Sequence, residues 1–324
     1  MKALAWLAVA SLVACVGAAA QGPDPAATFP NRPVRLVVPF PPGGSNDILG
    51  RFVAQHLSER LGQQVVVENR AGADGLIGTD MVARAEPDGY TLVFVSTSYT
   101  MNAAIHKMPF DPLKSLVPVA RVASGSNLIA VNPKLAANNI GELIAMAKAE
   151  PGRLRYASSG LGGFNHFGGA LFNSLAGVRI EHVPYKGGGP ALLDVMSGHV
   201  EIVFGTLTQA LPHVRSGRLK ALAVGSPKRS QLLPNLPTIA ESGVPGYDGS
   251  IWWGVLARAG TAPSIVAKLN AGINSVMRDP DAVKRLESEA ALPVTDTPES
   301  FARLIESELV KWNRIASEAG IRAH

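Results

Sequence analysis

The chain has 324 residues and a formal charge of +5, with 47% hydrophobic and 17% charged residues. That balance excludes a disordered chain and predicts a filled globular core, while the scatter of the basic residues argues against nucleic acid as a partner. A single cysteine, Cys15, and seven histidines with no pair at two- to four-residue spacing exclude a disulfide framework and give no expected metal site or cofactor.

Lys2, an apolar run over 3–16 and the small residues Ala18-Ala19-Ala20 predict a secretory signal over 1–20, too short to serve as a membrane span of about 20 apolar residues with anchoring charges. Leu12-Val13-Ala14-Cys15 also fits a lipobox in which Cys15 would be lipidated; cleavage after Ala20 is the preferred reading. Either route places the product outside the cytoplasm. The remaining length, at about 100 to 200 residues per domain, predicts two domains.

The first predicted strand, 34–38, runs through Phe40-Pro41-Pro42-Gly43-Gly44-Ser45-Asn46-Asp47 into a helix over 47–61. Glycines at such a junction let the backbone turn tightly and approach a ligand, while the unpaired N–H groups and positive dipole end of the helix face outward. Strands follow over 65–67, 92–95 and 128–131, with a helix over 140–149. A second glycine junction, Ser158-Ser159-Gly160-Leu161-Gly162-Gly163-Phe164-Asn165-His166, carries a strand at Tyr156 into a helix over 167–176. A third, Tyr185-Lys186-Gly187-Gly188-Gly189-Pro190, joins the strand 180–183 to a helix over 191–197, with Pro190 suited to a first turn. Strands over 202–204 and 219–224 complete this region. None of the junctions has the spacing of a Walker loop or a Rossmann fingerprint, so the expected guest is a small organic acid and not a nucleotide.

Alternating strands and helices predict α/β sheets with parallel strands and a site at the strands' carboxyl ends. After a turn-rich stretch, one strand over 251–256 precedes mostly helix from 263 to 319. Those helices need a sheet to cover, so the chain is expected to leave a first domain near Ala123 and return near Ser250. Segments 128–131 and 252–256 are candidate hinges, with Trp252-Trp253 as hinge packing or a stacking surface.

A hydrolase reading remains beside that of a site for a small organic acid. Gly43-x-Ser45 begins like a nucleophile elbow, but Asp47 stands where the final glycine belongs; an exported hydrolase would use Ser45 or Ser159 with His166. Asp47 reads as a cap or a ligand-orienting group, His166 as a ligand contact, Lys186 as a cation for the acid or a solvated loop lysine, and His182 as a core or edge residue.

The segments RLVVPFPPGGSNDILGR, VVVENRAGADGLIGT, PDGYTL, HVPYKGGGPALLDVMSGHVEIVF, RLKALAVGSPKRSQLLPNLPTIAESGVPGY and LNAGIN, in this order, resemble Bug-type, TctC-like extracytoplasmic solute receptors of the tripartite tricarboxylate transporter family. The resemblance runs from Phe29 to Ile321. It implies a periplasmic-binding-protein fold (type II-like) with domain 1 over 29–124 plus 251–324 and domain 2 over 125–250. Each would be a mainly parallel sheet flanked by helices, joined by a two-segment hinge. It implies no catalysis, a periplasmic monomer, a small carboxylate as ligand and the transporter's membrane subunits as partners; a sensory receptor would use the same closure. The implied contacts are Phe40, Pro41, Gly43, Gly44, Ser45 and Asp47, with Ser96, Thr97, Ser98 and Tyr99 from the same domain. Ser158, Ser159, Gly160, Asn165, His166, Tyr185, Lys186 and Thr206 come from the other. Gly205-Thr206 replaces a frequent Asp-Asn pair, which disfavours acidic amino acids, and Gly162-Gly163-Phe164 replaces hydroxyl residues, which predicts tolerance of a bulkier or aromatic acid.

Overall fold

The computed structural model describes residues 24–318 and 320–321; the expected signal over 1–20 and Cys15 lie outside the described residues. In chain order the elements are β1 (Val34–Val38), α1 (Ser45–Leu61), β2 (Val65–Asn69), α2 (Leu76–Ala83), β3 (Thr91–Ser96), α3 (Ser98–Ile105), β4 (Leu116–Val131), α4 (Ile140–Ala149), β5 (Arg155–Ser158) and α5 (Phe164–Ala176). They continue with β6 (Glu181–Pro184), α6 (Gly188–Ser197), β7 (Ile202–Thr206), α7 (Leu207–Arg215), β8 (Lys220–Val224), β9 (Ser250–Arg258), α8 (Pro263–Val276), α9 (Pro280–Ser288), β10 (Leu292–Pro293) and α10 (Pro298–Glu318). Among the described residues no helix is long and apolar enough to cross a membrane.

The strands follow the order β2-β1-β3-β9-β4-β7-β5-β6, with β8 and β10 also on β4. β1 is apolar and buried at Val34 and from Leu36 to Val38, with only Arg35 exposed, as suits a strand covered on both faces. Leu36 and Val38 pack toward Leu49, Val53 and Leu57 of α1, while Val37 turns to the opposite layer with Leu256, Phe301 and Ile305. Alternation along β9 sends Trp253 into the first layer and Trp252 into the second, where it meets the Phe301 ring edge-on at 5.2 Å. Both indoles are core packing. In the other half of the sheet Ile129, Val131, Tyr156 and Phe204 line one layer, and Leu128, Ala130, Ala157 and Val203 the other.

β4 belongs to both halves. Its residues up to Ser126 pair with β9, and those from Asn127 on pair with β7. The crossing therefore falls at Ser126–Asn127 and Gly249–Ser250, and the expected hinge segments 128–131 and 252–256 lie inside the flanking halves instead. Expected parallel pairing holds for β1 with β2 and β3, and for β5 with β6 and β7. The two strands that carry the chain across are antiparallel to each other and to their neighbours β3, β7 and β8. An outgoing strand and its return must run in opposite directions, so β9 and the short β10 in the first half, and β4 in the second, run against strands that otherwise share one direction, and each half is mainly parallel as expected. α8 and α10 pack back onto the first half, against β4.

Candidate functional site

At the head of α1 the chain takes φ +85° at Gly43, a left-handed conformation that costs a glycine little. Gly44 is an extended N-cap without a side-chain hydrogen bond. Ile48 N–H donates to the Gly44 carbonyl at 3.0 Å, which leaves the N–H groups of Ser45 and Asn46 outside the helical ladder. The Asp47 carboxylate folds back beneath the loop, accepting from Gly43 N–H at 3.0 Å and Asn69 Nδ2 at 2.9 Å and pairing with Arg51 Nε at 2.9 Å. Burial works against its ionisation, but Arg51, Gly43 and Asn69 outweigh it and hold the carboxyl below the usual carboxylate range. Asp47, expected as a ligand contact, is a brace for the loop.

Opposite it, β5 leads into a loop with φ +150° at Gly160 and +83° at Gly162. Gly163 is a second N-cap without a side-chain bond, and Phe164 N–H donates across the cleft to Ser98 Oγ at 3.1 Å. Ser158 is buried within the loop, its Oγ on the Gly160 carbonyl at 3.0 Å and 2.5 Å from His182 Nε2. His166 Nδ1 accepts from Gly162 N–H at 3.1 Å, and its ring stacks on His182 at 4.1 Å. Burial pushes the His166 imidazole down to about 4. Burial and the neighbouring His166 push His182 down to about 3. Both rings are neutral at ordinary pH, so His166 steadies the glycine loop and offers no cation.

Two further helices begin at the same place. Thr206 caps α7, its Oγ1 accepting from Gln209 N–H at 3.4 Å, and Gly187, at φ +115°, turns the chain into α6. The amino ends of α1, α5, α6 and α7 thus meet around a cavity of about 420 Å³, its open volume included. It is lined by Phe40, Pro41, Gly44, Ser45, Asn46, Ser96 and Ser98 from one side, by Ser159, Phe164, Asn165, Gly188, Thr206 and Gln209 from the other, and by Ile251 from β9. No lining residue carries a charged side chain. Ser96 Oγ and Asn46 Oδ1 are buried there without a hydrogen-bond partner among the described residues.

Toward solvent the cleft widens into a mouth of about 1340 Å³, its open volume included, lined among others by Asp74, Ser159, Gly160, Tyr185 and Lys186. Lys186 is exposed and makes no ion pair among the described residues. The Tyr185 hydroxyl donates to Asp194 Oδ2 at 2.5 Å, and burial, then Asp194, push it up to about 12.

Of the expected contacts, Phe40, Pro41, Gly44, Ser45, Ser96, Ser98, Ser159, Asn165 and Thr206 are brought together around the cavity, and Gly160, Tyr185 and Lys186 around the mouth. Gly43, Asp47, Ser158 and His166 support the loops from behind. The Thr97 hydroxyl accepts from Trp252 N–H at 3.0 Å, and Tyr99 donates to the Pro112 carbonyl at 2.5 Å, so both face away. Asn46, Phe164, Gly188, Gln209, Ile251 and Asp74 were not among the expected residues. The first four lie within four residues of one that was, and proximity along a helix turn was the available signal.

The family described as tripartite tricarboxylate transporter family receptor matches residues 49–321. Protein BugT of Bordetella pertussis is 40% identical over 313 residues, covering 96% of this chain and 95% of that protein. Rpa4515 of R. palustris, solved with adipate, superposes with a TM-score of 0.89 at 36% identity, over 91% of this chain and 99% of that one. MatC of Rhodopseudomonas palustris, solved with bound malate, gives 0.85 at 31% identity over 89% and 99%. With its crossing strands and its four helix ends around one cavity, this chain belongs to the Bug-type, TctC-like receptors of the tripartite tricarboxylate transporter family.

Proposed function

We propose that the chain is a periplasmic solute receptor that captures a small carboxylate between two lobes, residues 29–124 plus 251–324 and residues 125–250, and delivers it as a monomer to the membrane subunits of a tripartite tricarboxylate transporter. The observation that carries this reading is the convergence of four helix amino ends on a cavity without a charged side chain. Such a site favours an anion through backbone N–H groups and helix dipoles. Charge-assisted hydrogen bonds contribute about 1.5–3 kcal/mol each, so three or four gained on closure reach about the 8 kcal/mol of a micromolar complex. Because the anion touches both lobes only when they are closed, it shifts the population toward the closed form, which the transporter then recognises.

The relatives solved with adipate and malate support a dicarboxylate, with one carboxylate on Ser45 and Asn46 and the other toward Lys186. Phe164 in the wall supports tolerance of an aromatic acid, and the lack of an acid at Thr206 disfavours an amine next to the first carboxylate. Catalysis is not part of this reading: Ser158, which meets His182, is fully buried, and the acceptor nitrogen of the neutral His166 ring, Nδ1, is taken by Gly162 N–H, which leaves Nε2 protonated and no free base for a Ser45 or Ser159 nucleophile. Cleavage after Ala20 is preferred to lipidation of Cys15, and the intact mass of exported protein decides between them.

The test is a thermal-shift screen of residues 21–324 against adipate, malate, benzoate, glutamate, glucose and glycerol phosphate. A rise with the carboxylates alone, lost in Gly44→Val, is expected; the shift at a hundred times the dissociation constant corresponds to about 2.7 kcal/mol. Turnover of an ester panel that disappears in Ser159→Ala would overturn the receptor reading in favour of the hydrolase.

A further inference from the structure

Asp74 lies between β2 and α2, in the first half of the sheet, yet its side chain reaches the glycine loop at the head of α5 in the second. A Cβ placed on Gly163 would stand 2.7 Å from Asp74 Oδ2 and 2.9 Å from Oδ1, and one on Gly160 3.3 Å from Oδ1. The residue is held there. Its carbonyl accepts from Asn102 Nδ2 at 2.8 Å, and its backbone sits at φ 49°, ψ 37°, a left-handed conformation that Asp and Asn tolerate better than most residues. Both carboxylate oxygens are closed off from solvent, and neither has a hydrogen-bond partner among the described residues.

None of the groups around this carboxylate donates to it among the described residues. From the α5 loop come the Ser159 hydroxyl, 2.9 Å from the same Gly163 Cβ position, and His166, neutral and holding Gly162. From α3 come Asn102 and His106, whose Nε2 lies 3.5 Å from the Leu161 carbonyl, together with Tyr99, bonded to Pro112. From the 184–187 loop come Tyr185, bonded to Asp194, and Lys186, turned out at the mouth. On its own side Arg70 pairs with Glu68. An ionised carboxylate here has lost its water with nothing in exchange, and burial alone holds the Asp74 carboxyl well above the usual carboxylate range.

We propose that Asp74 couples closure to the uptake of one proton: the lobes come together over the cleft when the Asp74 carboxyl is neutral, so acid tightens capture of the ligand. The sign follows from linkage. In an open cleft a solvated Asp74 would titrate in the ordinary carboxylate range; in the closed one burial raises it. Between those values the closed form binds one more proton than the open form, so the closed-to-open ratio falls by up to about tenfold per pH unit as pH rises. It levels off above the closed-form value.

This inference rests on the two-lobe receptor reading but not on the nature of the ligand, so its test uses ligand-free protein. The chain's only cysteine is Cys15, and residues 21–324 therefore accept a donor and acceptor dye at Ile77→Cys and Leu193→Cys, both 60% exposed and on opposite sides of the cleft. Single-molecule energy transfer then reads the closed fraction even when it is small. We expect the closed fraction to fall as pH rises from 4.5 to 8.0, and to stay flat in Asp74→Asn and in Asp74→Gly, which suit the same backbone angles. A closed fraction that ignores pH in the unsubstituted chain, or that falls equally in Asp74→Asn, overturns the proposal. Failure of the carboxylate reading would show instead in the thermal-shift screen.

Discussion

At the head of α1, the nearby acid belongs to the loop it supports: Asp47 lies under Gly43 with Gly43 N–H, Asn69 and Arg51 as its partners. At the head of α5, the nearby acid arrives from the other half of the molecule, and the Asp74 carboxylate has no hydrogen-bond partner among the described residues. The backbone device is the same in both places, a strand, a glycine turn and an uncapped helix. What differs is whether the carboxylate's charge is answered. A carboxylate with three donors is permanent structure, because breaking it costs more than it releases. One with none is a conditional contact, and it marks the place where the two halves have reason to separate.

The comparison breaks most visibly at Gly163. Its φ of −76° and ψ of 164° are open to any residue, so Gly163→Val strains no backbone; its side chain would displace the Ser159 hydroxyl, the free end of a small side chain in the same loop, and would collide with Asp74 when the lobes meet. Ligand affinity is expected to fall by at least about a hundredfold, roughly 2.8 kcal/mol, in calorimetric titration, with the melting temperature nearly unchanged. Adding Asp74→Gly to the same chain should restore part of that loss, because the colliding group is gone.

Asp47→Ala acts on the permanent side of the comparison and should change both readouts. Loss of its hydrogen bonds lowers stability by about 1–3 kcal/mol in urea denaturation and weakens binding by about tenfold, since the loop that presents Ser45 and Asn46 loses its support. The pH dependence runs opposite to that of Asp74. Because its folded-state carboxyl is held low, the contribution of Asp47 is fully present above about pH 4 and is lost as pH falls through the lowered value. In Asp47→Asn the acid limb of the stability profile should be correspondingly shallower.

The smallest effect is expected at the rim. Lys186 is exposed, so Lys186→Ala should weaken a dicarboxylate by about two- to fivefold and leave a monocarboxylate unchanged. Equal loss for both acids in parallel titrations would place Lys186 against the first carboxylate, inside the cavity.

The glycine junctions were readable because positive φ at Gly43 and Gly187 leaves a mark in composition, and because the apolar run of β1 and the four-residue spacing of α1 are local properties. The return of the chain through β9 was also readable, since the helices beyond 263 needed a sheet to cover. The first part of β4 was not: Pro118 and Gly125 interrupt its pattern, and register irregularities at Pro118/Ala120 and Arg121/Ala123 break the alternation that marks a strand. Side-chain direction at the strand ends was equally hidden. Ser96 and Thr97 are adjacent, yet one faces the cavity and the other holds β9. Asp74 carried no signal of its own because its neighbours in the fold, Gly160 and Gly163, are more than eighty positions away, and nothing local distinguishes a carboxylate that meets water from one that meets another lobe.

The most direct measurement is a crystal structure of residues 21–324 with the acid that gives the largest thermal shift. The account predicts one carboxylate at hydrogen-bond distance, about 2.7–3.2 Å, from the N–H groups of Ser45 and Asn46, with Ser159, Asn165 or Thr206 completing its contacts from the other lobe. An acid bound outside this cavity, for instance against Arg51 and Arg285 on the surface between α1 and α9, would contradict it.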